Sequence, residues 1–363
     1  MRKNYRHFCL AAIAAIAAVS ASCSSCTHED LPHVPASSDE PAAIDRTAFA
    51  KGADISWITE MEHAGLKFYN AEGQESECTA LMKQIGMNSI RLRVWVNPEN
   101  GWNSASDVLV KAIRAQKLGM RIMIDFHFSD TWADPSNQAT PAAWASYGIE
   151  DLKNAVSTHT RETLSLLKRY GVEVEWVQAG NETRSGMLYP LGSYKENGGK
   201  NFAALVTACY EAAKEVYPDS KVIVHLDNGH NIDIYNRIFP LLNSCGAKYD
   251  MIGMSLYPCW WNEETQSFGT EWKERTDACI ANISKVHESY GKEVIICETG
   301  MPISNPEVAR EMLSYLLEKT RALDCCKGVF YWEPEAPEGY NNGYGLGAFS
   351  GGKPTIALDP FKE

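Results

Sequence analysis

Residues 121–127 read RIMIDFH, a short apolar run that ends in polar side chains. A run of this length and composition predicts a buried β-strand over Arg121–Phe126. Similar runs recur from residue 52 onward, and no linker rich in proline, serine or glycine interrupts them. The other predicted strands are Ala53–Ser56, Ser89–Trp95, Glu175–Ala179, Lys221–Leu226, Met251–Leu256, Glu293–Cys297 and Gly328–Trp332.

Amphipathic stretches separate the predicted strands. Eight strands that alternate with helices predict an α/β fold, a single (β/α)8 TIM barrel over residues 46–363, whose parallel strands are joined by right-handed crossovers. The competing fold is a doubly wound sheet, but no G-x-G-x-x-G turn follows the first predicted strand. The predicted helices include Ser106–Leu118, Leu152–Tyr170, Phe202–Tyr217, Glu271–Tyr290 and Pro306–Leu323.

Polar and aromatic residues stand where the predicted strands end. In a barrel of this kind the carboxyl ends of the strands meet at one rim, and the active site lies there. We therefore expect these residues to surround a common cleft. They are Asp125 and His127, Asn181 and Glu182, Asp227, Tyr257, Glu298, Trp332 and Glu333.

Two carboxylates on this rim, Glu182 and Glu298, follow the fourth and seventh predicted strands. Such a pair can cleave an acetal, because one group protonates the leaving oxygen while the other attacks the anomeric carbon. A separation of roughly 5–5.5 Å gives retention of configuration. The two roles require different surroundings, so that Glu182 holds its proton while Glu298 stays ionised.

Eight strings along the chain closely resemble glycoside hydrolase family 53, the endo-β-1,4-galactanases of clan A. This resemblance implies retaining, endo-acting hydrolysis of β-1,4-galactan, the side chain of type I arabinogalactan and pectin. Two alternatives remain: another clan A endo-glycanase, such as a mannanase or cellulase, and a non-catalytic glycan-binding surface lipoprotein. The strings are GADIS (Gly52–Ser56), IRLRVWVNP (Ile90–Pro98), DFHFSDTWADP (Asp125–Pro135), AGNE (Ala179–Glu182), HLDNG (His225–Gly229), SLYP (Ser255–Pro258), ETGMP (Glu298–Pro302) and YWEP (Tyr331–Pro334).

The resemblance assigns roles to residues near the two carboxylates. It implies that Glu182 is the acid/base, Glu298 the nucleophile, and Asn181 the group that holds the sugar 2-hydroxyl. Arg91 matches the arginine that keeps the nucleophile ionised. Arg93 shares the inward face of the same strand, so one of the two arginines could be structural.

Further matches concern the sugar subsites. Tyr257 resembles an aromatic residue that hydrogen-bonds the nucleophile, and Trp332 resembles the platform under the −1 sugar. His127 is expected to line the same subsite, with a buried core histidine as the alternative, and Asp125 to hydrogen-bond its neighbours. Contacts to further galactosyl units are expected from Asp227 and Trp132. Trp260 and Trp261 either extend the cleft or pack beneath a loop.

Composition excludes several classes of function. The chain has 363 residues, of which 34 are Lys or Arg and 46 are Asp or Glu, and its formal net charge is −12. This charge disfavours a nucleic-acid-binding surface. The partner expected from the resemblance is galactan, bound by a monomer.

The N-terminus predicts export. Basic residues precede an apolar run over residues 8–22 that is too short for a membrane span. The small residues before Cys23 resemble a lipoprotein cleavage box, which predicts a signal peptide over 1–22, a lipid anchor at Cys23 (or Cys26), and a disordered tether over 23–45. The expected location is the bacterial outer surface. A plain cleaved signal peptide, with a periplasmic or secreted protein, is the alternative.

No cofactor is expected. Outside the first 26 residues eight cysteines remain, and their spacing fits neither a zinc site nor a disulfide framework, which predicts buried thiols. The segment 335–349, EAPEGYNNGYGLGAF, lacks the dense carboxylates that calcium favours. A structural calcium ion is therefore possible but not expected.

Overall fold

A closed barrel of eight parallel strands forms the centre of the computed structural model, which describes residues 44–259, 261–262, 264 and 267–363. The strands follow one another around the barrel in chain order, and the last pairs with the first: Ala50 lies opposite Gly328. The single (β/α)8 TIM barrel is thus confirmed. The strands are β1 (Ala50–Asp54), β2 (Ser89–Val94), β3 (Arg121–Phe126), β4 (Val174–Ala179), β5 (Lys221–Leu226), β6 (Met251–Leu256), β7 (Glu293–Thr299) and β8 (Cys326–Trp332).

Helices connect the strands and surround the barrel. In α4, Leu152, Val156, Leu164 and Leu167 are buried, and these positions share one face of a helix with 3.6 residues per turn. Burying each such side chain contributes roughly 1.5–3 kcal/mol. The helices are α1 (Ile58–His63), α2 (Cys78–Ile85), α3 (Ala105–Lys117), α4 (Ile149–Arg169), α5 (Lys200–Val216), α6 (Ile232–Ser244), α7 (Lys273–Tyr290), α8 (Pro306–Arg321) and α9 (Tyr340–Gly343).

The barrel interior changes from apolar to polar toward the carboxyl ends of the strands. Side chains alternate between the two faces of a strand, so residues two apart both point inward. Trp176 therefore lies in the apolar layer and Gln178 in the polar layer above it. The apolar layer consists of Ala50, Met123, Trp176, Ile223, Met251, Ile295, Cys297 and Phe330, and the buried polar residues above it include Asp54, Arg91, Arg93, Asp125, Gln178, His225 and Ser255.

Most predicted elements occur with small shifts at their ends. The bounds of β3, β5 and β6 agree with the prediction. The first strand, expected over Ala53–Ser56, instead spans Ala50–Asp54. It ends early because the Asp54 carboxylate turns the chain by accepting bonds from the backbone N–H and the hydroxyl of Ser56, at 3.0 and 2.5 Å.

The cysteines of the described region are free thiols, and six of the eight are buried. Burial raises the pKa of Cys279 and of Cys297, which keeps both thiols protonated. The predicted signal peptide over 1–22 and residues 23–43 of the tether predicted over 23–45 lie outside the described residues. Within the described residues, no helix has both the length and the apolar character that a membrane crossing requires.

Candidate active site

A cavity of about 770 Å³ opens at the carboxyl ends of the barrel strands. Two of the ten predicted site residues, Arg91 and Asp125, lie fully buried beneath it. The other eight line it: His127, Trp132, Asn181, Glu182, Asp227, Tyr257, Glu298 and Trp332.

A register shift in β7 places Glu298 in this cavity. Met254 of β6 lies opposite Ile296, but the next residue, Ser255, lies opposite Glu298. The extra residue is a β-bulge, which re-aims a side chain. Because of it, Cys297 points into the barrel interior while the following Glu298 lines the cavity.

Each oxygen of the Glu298 carboxylate has a partner. Nη2 of Arg91 lies 2.9 Å from Oε1, and the Tyr257 hydroxyl donates to Oε2 at 2.8 Å. Burial raises the pKa of Glu298, whereas Arg91 and Tyr257 lower it. The arginine was expected to keep this carboxylate ionised; it acts in that direction, and burial outweighs it.

Arg91 is held at the centre of a polar cluster. Its guanidinium donates to Asp54 at 2.7 Å, Asp125 at 2.9 Å and Asn181 at 2.9 Å. Burial would raise the pKa of Asp125, but the charge of Arg91 and the contact with His127 outweigh it and hold the pKa at about 2. Asp125 thus bonds Arg91 and His127 and holds the arginine below the cleft.

Of the two inward arginines, Arg91 and not Arg93 contacts Glu298. The Arg93 guanidinium lies over the ring of Trp132, 4.3 Å from its centroid, and over that of Trp57 at 5.2 Å. Its Nη1 bonds the Glu333 carboxylate. Arg93 therefore supports the aromatic side of the cleft through cation–π contacts.

Glu182 follows a tight turn at the end of β4. Gly180 and Glu182 both have positive φ, 91° and 46°, and a Cβ on Gly180 would lie 2.6 Å from the Thr183 side chain. Glycine is required there because it alone tolerates both the dihedral and the close approach. The Glu182 Oε1 atom accepts a hydrogen bond from the Ser255 hydroxyl at 2.6 Å.

The surroundings of Glu182 favour its protonated form. Burial raises its pKa well above the usual value, and the negative charges of Glu298 and Asp227 raise it further, against the opposing effects of Ser255 and Arg91. Glu298 faces a nearby guanidinium, whereas Glu182 faces two carboxylates. Of the two groups, Glu182 therefore has the surroundings that favour the protonated form more strongly.

Asn181 and His127 are both fixed by the protein. Nδ2 of Asn181 donates to the Ala133 carbonyl at 2.8 Å, which leaves one N–H of the amide for a sugar hydroxyl. Nδ1 of His127 accepts from Trp95 Nε1 at 3.2 Å and from the Ala133 N–H at 3.1 Å. Its Nε2 lies 2.9 Å from Asp125. His127 thus lines the cleft with its ring, and both ring nitrogens are used.

An aromatic wall forms one side of the cleft. Trp332 packs edge-on against Trp132 at 5.9 Å between ring centroids and against Tyr344 at 4.9 Å. Trp57 contacts Trp332 at 5.1 Å. Trp57 and Tyr344 were not predicted, although Trp57 stands just after β1, where the same strand-end pattern could have identified it.

Asp227 carries an unsatisfied acceptor. Its Oδ2 lies 3.1 Å from Nη1 of Arg184 and accepts from Asn228 at 2.5 Å. Its Oδ1 is buried without a hydrogen-bond partner among the described residues. A buried acceptor without a donor is costly, so a ligand hydroxyl placed there would be bound favourably.

One expectation from the sequence receives no structural test, because Trp260 and the Trp261 side chain lie outside the described residues. Within the described region, no group of three or more histidine, cysteine, aspartate or glutamate residues could hold a metal ion.

Comparisons with known proteins agree on one family. The family described as "Glycosyl hydrolase family 53" matches residues 50–313. A "Probable arabinogalactan endo-beta-1,4-galactanase A" of Neosartorya fischeri is 33% identical over 308 residues, 78% of this chain and 83% of that protein. An arabinogalactan endo-beta-1,4-galactanase of Humicola insolens is 32% identical over 307 residues, 78% of this chain and 89% of the other. A solved fungal β-1,4-galactanase superposes with a TM-score of 0.77 at 29% identity, covering 87% of this chain and 99% of the fungal chain.

Proposed function

The chain belongs to glycosyl hydrolase family 53, and we propose that it cleaves β-1,4-galactosidic bonds within galactan by double displacement at Glu182 and Glu298. The hydrolase activity is that of an arabinogalactan endo-β-1,4-galactanase. The observation that carries the proposed mechanism is the placement of both carboxyl groups in one cavity with different partners. Glu298 contacts Arg91 and Tyr257, and Glu182 accepts from Ser255.

In the first step the Glu298 carboxylate attacks the anomeric carbon of the sugar in the −1 subsite. The bond from that carbon to the glycosidic oxygen breaks, and Glu182 gives its proton to the leaving oxygen. A covalent glycosyl-enzyme forms on Glu298. In the second step Glu182, now ionised, takes a proton from water as the water oxygen attacks the same carbon. Glu298 leaves as a carboxylate, Glu182 is protonated again, and the β-configuration is retained.

The unequal surroundings of the two groups support these roles. Glu182 has the more strongly raised pKa, because burial acts together with two nearby negative charges. Arg91 and Tyr257 lie against the attacking carboxylate and oppose its protonation. The two steps balance with these side chains and water, so the proposed reaction uses no cofactor.

The walls of the cleft suit a sugar chain. Trp332 offers a flat apolar face to the −1 ring, and Trp132 and Asp227 reach further galactosyl units. Asn181 donates to the 2-hydroxyl of the −1 sugar, a contact that strengthens in the transition state. These assignments make the cleft a binding site for several consecutive galactosyl units.

The mechanism is tested with two variants on linear β-1,4-galactan. Glu298→Ala lowers kcat by several orders of magnitude, since no other group can form the covalent intermediate, and leaves galactan binding nearly unchanged in a pull-down. Asp359→Asn, at an exposed carboxylate that bonds Lys362, serves as the matched control. Undiminished hydrolysis by Glu298→Ala would remove Glu298 from the mechanism.

For the location we propose export with a lipid anchor at Cys23, so that a monomeric barrel acts at the outer cell surface. The sequence of basic residues, apolar run and small residues before Cys23 supports this proposal. Metabolic labelling with a palmitate analogue should mark the protein and fail to mark Cys23→Ser. Surface biotinylation of intact cells should label the anchored protein. Labelling only after the outer membrane is opened would contradict a surface location.

A further inference from the structure

A chain of hydrogen bonds runs from the arginine beside Glu298 through the polar layer of the barrel. Nη2 of Arg91 contacts Glu298 at 2.9 Å, and its Nε donates to Oε1 of Gln178 at 2.6 Å. Nε2 of Gln178 lies 2.9 Å from Nδ1 of His225. Gln178 and His225 have no exposed surface. Neither residue takes part in the reaction proposed above.

The same series of hydrogen bonds continues to the carboxyl group of Glu182. Nε2 of His225 lies 2.8 Å from the Ser255 hydroxyl, and that hydroxyl donates to Oε1 of Glu182 at 2.6 Å. Ser255 is 1% exposed. The two carboxyl groups of the cleft are therefore joined through side chains of β2, β4, β5 and β6.

The chemistry of Arg91 fixes the direction of every bond in this chain. A guanidinium only donates, so Gln178 must turn its carbonyl oxygen to Arg91 and its N–H to His225. Nδ1 of His225 then accepts, and Nε2 carries the ring proton and donates to Ser255. The Ser255 hydrogen is left to point at Glu182.

One neighbour of His225 could favour the other tautomer. Oδ1 of Asn181 lies 3.0 Å from Nδ1, and an N–H at Nδ1 could donate to it. That oxygen already accepts from Arg91 at 2.9 Å. The backbone N–H of Glu182 also points at Nδ1, at 3.4 Å. Two donors, from Gln178 and Glu182, therefore meet this nitrogen, and they select the tautomer protonated at Nε2.

This direction determines which oxygen of Glu182 can hold the proton. Oε1 receives the Ser255 hydrogen and is an acceptor, and among the described residues Oε2 has no hydrogen-bond partner. We propose that Ser255 and His225 are positioning residues that place the catalytic proton of Glu182 on Oε2, where the leaving oxygen takes it. The inference rests on the proposed acid/base role of Glu182.

The charged groups around Glu182 define what a pH measurement reports. They are Glu298 at the end of β7, Asp227 after β5 and Arg91 of β2. The Ser255 bond lowers the pKa of Glu182, since a donor favours the charged carboxylate. Removing that donor raises this pKa, provided the three charged neighbours stay in place.

The decisive variant is Ser255→Ala, measured on two substrates that differ in their need for an acid. Galactan has an alcohol leaving group that must be protonated, whereas a dinitrophenyl β-galactobioside has one that leaves without help. We expect kcat/KM for galactan to fall roughly 10–100-fold and kcat/KM for the aryl substrate to change less than about threefold. Equal losses on both substrates would overturn the proposal, because a general structural defect lowers both.

The pH profile gives a second readout. The alkaline limb of kcat/KM reports the pKa of the acid in the free enzyme. In Ser255→Ala this limb moves to higher pH, and Ser255→Thr, which keeps a hydroxyl, moves it back toward the wild-type position. An alkaline limb that does not move in Ser255→Ala would contradict the hydrogen bond to Glu182.

Two control variants distinguish a failure of the proposed function from a failure of the positioning role. Ser220→Ala removes a buried hydroxyl that bonds the Tyr217 carbonyl before β5, and it should match the wild type on both substrates. Glu182→Ala tests the underlying acid/base role. It should lose galactan hydrolysis but still form the glycosyl-enzyme from the aryl substrate. Because the second step lacks its base, added azide should raise the turnover of that substrate. If Glu182→Ala lacks this pattern, the proposed function fails; if it shows the pattern and Ser255→Ala does not, only the positioning role fails.

The tautomer of His225 is observable directly. Nitrogen-15 NMR of the histidine rings, assigned by comparison with His225→Gln, should show a neutral ring protonated at Nε2 at pH 6. A ring protonated at Nδ1, or at both nitrogens, would be incompatible with the hydrogen-bond directions given above and would overturn the inference. This measurement is independent of turnover, so it stands even if Ser255→Ala does not fold.

Discussion

Each oxygen of the Glu298 carboxylate has its own donor, Arg91 on Oε1 and Tyr257 on Oε2. Removing Arg91 and removing the Tyr257 hydroxyl would have different consequences. Arg91 also bonds Asp54, Asp125, Asn181 and Gln178, so its loss would disturb the whole polar layer. Removing the Tyr257 hydroxyl is a smaller change, and it tests how the pKa of Glu298 is set.

Tyr257→Phe should shift the acid limb of the kcat/KM profile to higher pH. The hydroxyl lowers the pKa of Glu298, so its removal raises that pKa, and the nucleophile is then protonated at a pH where it was ionised before. We expect kcat to fall by roughly 10–100-fold, which corresponds to the contribution of one hydrogen bond to a charged group. A matched control is Tyr249→Phe, whose hydroxyl bonds Asn243 away from the cleft. An unchanged acid limb would show that Tyr257 does not tune Glu298.

Asp227→Ala should weaken substrate binding more than it slows chemistry. The buried Oδ1 of Asp227 has no partner among the described residues, and we assign it to a hydroxyl of the galactan chain. Losing that contact raises KM about 10-fold with a smaller change in kcat. Steady-state kinetics on galactotetraose measure both. A fall in kcat at constant KM would instead indicate a role in the chemical steps.

At the scale of single elements, the strands were predictable because their signal is local. Residues 121–126, 221–226 and 251–256 were predicted with the bounds they have. The alternation of side chains also predicted that Arg91 and Arg93 share the inward face of β2, where both are buried. Each of these inferences needs only neighbouring residues in one strand.

The bulge in β7 was not predictable in this way. Strict alternation puts Cys297 inward and Glu298 outward. Both instead lie on the interior side, because the register of β7 against β6 shifts at this point. The position of Glu298 at the end of the seventh predicted strand placed it on the rim, and the resemblance then supplied its role; the alternation of side chains did neither. His225 and Ser255 were missed for a related reason: their contacts come from chain segments far from Glu182, and no local pattern predicts them.

Gly253 tests how tightly the interior of β6 packs beneath the bulge. A Cβ at this position would lie 2.7 Å from Sγ of Cys297 and 2.8 Å from Ile223. Gly253→Ala should therefore lower the free energy of unfolding by about 1–3 kcal/mol, the typical cost of overpacking. It should also lower kcat, since Cys297 adjoins Glu298, the proposed nucleophile.

The matched control for this variant is Gly269→Ala. A Cβ at Gly269 meets nothing within 4 Å, and its φ lies outside the left-handed region. Urea denaturation of both variants gives the comparison. Equal stabilities of Gly253→Ala and the wild type would mean that Cys297 and Ile223 move enough to admit the added methyl group.

At the scale of the whole molecule, buried carboxyl groups should make stability depend on pH. Glu335 is 1% exposed, and neither of its oxygens has a donor among the described residues. A hydrogen bond to Glu333 forms only when one of the two carries a proton. Burial raises the pKa of Glu333 to about 7 and that of Glu335 well above its usual value.

These shifts set the sign of the effect. A carboxyl whose pKa is raised on folding stabilises the native state fully below the unfolded pKa of about 4.5, and this stabilisation is lost as the pH rises through the folded value near 7. Buried His159 and His225, whose pKa values are lowered, act in the opposite direction over part of this range, so the effect of Glu335 is measured as a difference. The Tm of Glu335→Gln minus that of the wild type should rise between pH 5 and pH 8. Scanning calorimetry that shows a constant difference would contradict the raised pKa of Glu335.

The barrel brings residues from sequence positions 91 to 332 to one mouth, where we propose that Glu182 and Glu298 act in two successive displacements. Proton NMR during the first minutes of galactotetraose hydrolysis tests this proposal. The newly formed reducing end should appear as the β-anomer and then mutarotate. Initial appearance of the α-anomer would mean a single displacement by water, and Glu298 could not be the nucleophile.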